Sequence, residues 1–73
     1  MATLSDNLNM LRKNRNLTYL DIATGCGIAL RTLKYYSAGE RKPDSDTLIA
    51  LADYFGVSID YLVGRTDKPE VNK

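Results

Sequence analysis

Residues 17–43, LTYLDIATGCGIALRTLKYYSAGERKP, hold two short helical stretches around a tight glycine turn, followed by a basic loop. This segment constrains the fold more than any other. Ile22, Ala23 and Cys26 recur at helical spacing, and Ala23 is small enough for a close helix crossing. Thr18 offers an N-cap, because its hydroxyl can accept an amide of the next turn. Gly25 and Gly27 end the stretch, and Gly27 suits the left-handed turn position. A second helix then covers about residues 29–38, burying Leu33 and Tyr36 with Ile28 at its entrance, until Gly39 terminates it.

The flanks read as helices too. Leu4, Leu8 and Leu11 line one face of a helix over about 4–14, and Asn14-Arg15-Asn16 breaks it. Pro43 bars helical geometry at Lys42. Asp44 or Ser45 then caps a helix carrying Leu48, Leu51, Ala52 and Phe55 at 3.6-residue spacing, and Gly56 stops it. Ser58 caps a last short helix in which Ile59 and Leu62 face inward and Gly64 closes the end. The expectation is an all-α, compact five-helix domain over residues 1–64, with the two-helix motif at about 18–38 and a frayed tail at 65–73.

At 73 residues the chain makes one small domain. Domains of that size bury only about 60% of their unfolded surface. One cysteine, Cys26, and no histidine exclude a disulfide framework or a zinc cluster within the chain. Cys26 reads as a small buried hydrophobe. An uncrosslinked thiol, the lack of any apolar run near about 18 residues and an N-terminus unlike a signal peptide point to a soluble cytoplasmic protein off the membrane.

A net charge of +1 conceals a division. Residues 12–42 carry Arg12, Lys13, Arg15, Arg31, Lys34, Arg41 and Lys42 against Asp21 and Glu40, a local +5. Residues 43–67 carry Asp44, Asp46, Asp53, Asp60 and Asp67 against Arg65. One basic face suits a polyanion. An enzyme is not expected: there is no histidine base, P-loop, dinucleotide fingerprint or metal site, and no cofactor or small-molecule ligand is indicated. Asp44 and Asp46 sit at a helix start, where capping and the helix dipole account for them.

The pattern from about Leu8 to Gly64 resembles the lambda-repressor-like helix-turn-helix family, of Xre or phage Cro type. The resemblance rests on Leu11-Arg12, Leu17-Thr18, Ile22-Ala23, Gly27, Thr32-Leu33, Tyr36, Gly39-Glu40-Arg41-Lys42-Pro43, the run from Leu51 to Ser58 and Asp60-Tyr61-Leu62. The run ADYFGVS looks like regulators of phages and mobile elements in low-GC Gram-positive bacteria.

This resemblance implies that the helix over 29–38 enters the DNA major groove, with Leu30, Arg31, Lys34 and Tyr35 facing the bases. Arg31 is the best base reader, since a guanidinium can bond bidentately to guanine O6 and N7. Arg12, Thr18, Tyr19, Arg41 and Lys42 are the implied phosphate contacts, which set position and salt dependence, and Thr32 can reach a phosphate or, through its own methyl group, a thymine methyl. Tyr54 and Tyr61 read as packing or rim residues.

Four positions depart from the family pattern. Tyr19 stands where a glutamine is usual, and Ala29 where a serine or threonine caps the recognition helix. Leu30 takes a commonly polar outward position. Ser37 replaces the acid that pairs with the helix-one arginine, leaving Arg12 without that partner. The fold thus places Tyr19, Leu20, Leu30 and Tyr35 outward, an apolar and aromatic group of the kind that marks protein interfaces.

Two functions follow. In the first, the chain is a Cro-like transcription regulator of phage or mobile-element type, without an appended oligomerisation domain, that binds double-stranded operator DNA in a bacterial host. A module this small makes few contacts, so dimerisation on a two-fold operator is called for. In the second, it is a modulator or antirepressor of a lysis-lysogeny switch that docks Tyr19, Leu20, Leu30, Arg31, Lys34 and Tyr35 on a partner phage repressor.

Overall fold

The computed structural model describes residues 3–66, which form five α-helices and no strand. They are α1 (Leu4–Asn14), α2 (Tyr19–Cys26), α3 (Leu30–Ala38), α4 (Ser45–Phe55) and α5 (Ile59–Leu62). Residues 1–2 of the expected domain and residues 67–73 of the expected tail lie outside the described residues.

Local chemistry sets the boundaries. Thr3 and Thr18 each close a capping box, accepting an amide with the hydroxyl while Asp6 and Asp21 accept the cap's own amide. Asp44 accepts the Thr47 amide at 2.9 Å, and Ser58 the Tyr61 amide at 3.1 Å. The ends share one device. At residues 16, 27, 39, 56 and 64 the backbone turns left-handed, and the following amide reaches back to a carbonyl five residues earlier, as Ile28 does to Ala23 at 3.0 Å. Gly27 meets that geometry without a Cβ penalty, whereas Asn16 adopts it at φ 54° with its side chain in place.

Gly25 does not end α2 but lies inside it, and Gly27 alone terminates the helix. Ala29 precedes α3 as its cap residue, with φ −68° and ψ 143°, and makes no side-chain cap bond. Ile59 does not face inward. It is 38% exposed, because Val57 and Leu62 already fill the inward positions on either side of it.

The core gathers Leu8 and Leu11 of α1, Ile22 and Ala23 of α2, Leu33 and Tyr36 of α3, Leu51, Ala52 and Phe55 of α4, Val57, and Leu62 of α5. Each fully buried leucine or isoleucine among them contributes about 1.5–3 kcal/mol. Cys26 is half-buried against this core, with Sγ 3.8 Å from the Ala50 carbonyl oxygen, and burial pushes its thiol above the usual value. α2 packs on α3 and α4, while α1 packs on α3 and α5. The last of these contacts is anchored by Asn7, whose buried amide donates to the carbonyls of Tyr61 at 2.8 Å and Leu62 at 3.2 Å. No helix among the described residues is long and apolar enough to cross a membrane.

Candidate nucleic-acid interface

α3 has two faces. Leu33, Tyr36 and Ser37 are buried against α1 and α2, which fixes the rotation of the helix. That rotation leaves Arg31 and Lys34 exposed, with Leu30 at 36% exposure beside them. Thr32 and Tyr35 are half-buried at the flanks. Arg41 and Lys42, in the loop that follows, are exposed.

The start of α3 differs electrostatically from the other four helices. Each of those has an acidic residue in its first turn and a side-chain cap at its start, whereas α3 has neither. Its positive dipole end therefore has no carboxylate in its own first turn to offset it.

Tyr19 does not face outward. It is half-buried and packed against the core, and the Arg12 guanidinium lies over its ring, 4.5 Å from the centroid. Arg12 thereby acquires an aromatic partner, and an aromatic face, unlike the acid usual in the family, leaves its charge intact. Its Nε is buried and makes no hydrogen bond.

Ser37 supports the same corner. Its Oγ lies 2.7 Å from Asn9 Oδ1 and 3.1 Å from the Tyr19 hydroxyl, and its carbonyl accepts the Asn9 amide at 2.9 Å. The Ser37 hydroxyl, able to donate to the phenolate, holds Tyr19 below the usual phenol value, helped by the charge of Arg12. Neither Asn9 nor the buried role of Ser37 carries a signature that helical periodicity could have revealed, since the pairing spans 28 residues.

Of the outward apolar group expected at the motif, Leu20 is 59% exposed and Leu30 is 36% exposed, while Tyr19 and Tyr35 are each half-buried. Tyr35 is covered on one face by the Arg41 guanidinium, 4.5 Å from the ring centroid. Thr18 is exposed at the start of α2, and its hydroxyl oxygen accepts the Asp21 amide at 3.1 Å. Tyr54 and Tyr61 pack at the edge of the core.

The helix-turn-helix family matches residues 8–62. The chain is 41% identical over 63 residues to an uncharacterized HTH-type transcriptional regulator of Bacillus subtilis, YobD, covering 86% of this chain and 56% of that protein. It is 37% identical to the transcriptional repressor RstR of the cryptic phage CTXphi in Vibrio cholerae, covering 85% of this chain and 55% of that one. A crystal structure of a transcriptional regulator from Listeria innocua superposes with a TM-score of 0.79 at 45% identity, covering 85% of this chain and 58% of that one. The chain thus spans a little over half the length of these relatives.

Proposed function

Since this chain belongs to the helix-turn-helix family, we propose that it is a transcription regulator that lays α3 in the major groove of operator DNA. The observation that carries the proposal is the pair Arg31 and Lys34, exposed together on the face of α3 opposite its buried Leu33 and Tyr36. Arg31 reads a guanine, and Lys34 and Leu30 contact neighbouring base edges. Arg12, Thr18, Thr32, Arg41 and Lys42 meet phosphates, and Tyr19 backs Arg12 rather than reaching the DNA itself. The acidic residues Asp46, Asp53 and Asp60 belong to α4 and α5, whereas Arg12 belongs to α1, Arg31 and Lys34 to α3, and Arg41 and Lys42 to the loop that follows α3.

The resemblance to RstR supports a regulator of phage or mobile-element type, acting in the bacterial cytoplasm as two copies on a two-fold operator. The test begins with duplexes enriched by the wild-type chain from a randomised pool. Arg31→Ala should weaken binding by about 1–3 kcal/mol and relax one base position. Lys42→Ala should weaken all sequences alike and reduce the salt slope by about one. Failure of the wild-type chain to discriminate any duplex at low salt refutes the proposal.

A second reading keeps the fold but docks it on a partner repressor. It is favoured only by the exposure of Leu20 and Leu30. Under it, Leu30→Asp abolishes co-purification with a repressor encoded beside this chain, while an unchanged complex refutes it.

A further inference from the structure

We infer that Tyr35 is a positioning residue whose ring holds Arg41 ready for a backbone phosphate, and that it does not read a base. The inference rests on the DNA-binding reading above and assigns Tyr35 a different part in it.

The geometry begins at the end of α3. Gly39 turns left-handed at φ 77°, and the Glu40 amide returns to the Tyr35 carbonyl at 3.0 Å. This closure folds the chain back over the last turn of the helix and delivers Arg41 to the ring of Tyr35. Tyr35 is itself half-buried, so the platform under the guanidinium is fixed by the helix.

An arginine on an exposed loop loses side-chain freedom when it meets a phosphate, and that loss subtracts from affinity. A ring that already holds the guanidinium reduces the loss before DNA arrives. A carboxylate partner could also hold Arg41, but it would cancel the charge that the phosphate needs. An aromatic face attracts the cation and leaves its charge intact. The covered face of Tyr35 is, in turn, closed to a thymine methyl or a base edge.

A double-mutant cycle tests this on a duplex enriched by the wild-type chain and on an unrelated duplex. Tyr35→Phe keeps the ring and should bind like wild type. Tyr35→Leu should weaken both duplexes by about two- to fivefold, the scale of an exposed cation–π contact. In an Arg41→Ala background, Tyr35→Leu should cost nothing further. Additive losses, or a changed preference at a single base pair, would overturn the inference. A wild-type chain that discriminates no duplex would instead remove the DNA reading itself. An independent measurement needs no DNA: the Arg41 side-chain protons of the free wild-type protein should show upfield ring-current shifts in NMR, retained in Tyr35→Phe. Random-coil shifts there would overturn the inference whether or not the leucine variant folds.

Discussion

Tyr54 occupies the space that a side chain at Gly25 would need. A Cβ on Gly25 would overlap the Tyr54 ring at Cδ1 and Cε1, so α2 and α4 meet ring against backbone. The ring also stands edge-on to Phe55, with centroids 5.2 Å apart and planes at 82°. Gly25 thus sits inside α2 because α4 lies too close for anything larger.

Gly25→Ala should therefore destabilise the fold by about 1–3 kcal/mol, the cost of overpacking, although alanine is the better helix former. In a Tyr54→Ala background the same change should become stabilising by up to about 1 kcal/mol. Urea denaturation of the four proteins checks this. Destabilisation of equal size in both backgrounds would place the strain elsewhere.

Ala29→Ser should stabilise the protein by about 0.5–2 kcal/mol, since a hydroxyl at the cap of α3 can accept the Thr32 amide. The check is a rise in the urea midpoint at constant slope. The gain should appear in the free protein without any contribution from DNA.

Asn16 holds a left-handed backbone at the end of α1, where the Leu17 amide bonds the Arg12 carbonyl at 3.0 Å. Asn16→Val should cost about 1–2 kcal/mol, because a β-branched side chain crowds that conformation. Asn16→Gly should be tolerated. Thermal melting of both variants distinguishes this from a loss of side-chain contacts, which would penalise glycine as well.

Ser37→Ala removes a hydroxyl shared by Asn9 and Tyr19 in a buried corner and should cost about 1–3 kcal/mol. It should also raise the titration of Tyr19 towards the ordinary phenol value, because the Ser37 hydroxyl is the main cause of its depression. A residue-resolved NMR titration of the Tyr19 ring reads this directly. A Tyr19 titration unmoved by the substitution would contradict the network.

Acid should weaken the helix caps in a defined direction. The Thr47 hydroxyl and amide hold Asp44 below the usual carboxylate value, and the Thr18 amide does the same for Asp21. Their stabilisation is fully present above the unfolded carboxylate value and is lost as pH falls through the lower folded one. Asp44→Asn keeps an acceptor but cannot titrate, so its stability should change less between neutral pH and the acid side of that window. An unchanged acid profile would remove Asp44 from the account.

Helix boundaries were legible in the sequence because the signals are local. Thr18 and Ser58 before helical runs, and Gly27, Gly39 and Gly56 after them, act within one turn. The exposure of Arg31 and Lys34 followed from the same periodicity that buries Leu33 and Tyr36. The inward turn of Tyr19 was not legible, because it depends on Ser37 and Asn9, each on another helix. Ile59 misled for a related reason: in a one-turn helix, inward positions are assigned by competition with Val57 and Leu62 rather than by period. At the candidate interface the cations could be read from the sequence but their aromatic supports could not, since Arg12 on Tyr19 and Arg41 on Tyr35 are meetings across a turn.

Asn7 has a consequence for how the protein comes apart. α5 is a single turn, too short to persist unaided, and its Tyr61 and Leu62 carbonyls are held by one amide from α1. That bridge converts a row of helices into a closed circuit. In such a circuit α5 cannot peel away as an independent flap: its release exposes Asn7 and loosens α1, so the first and last helices should share one opening event and one hydrogen-exchange protection level.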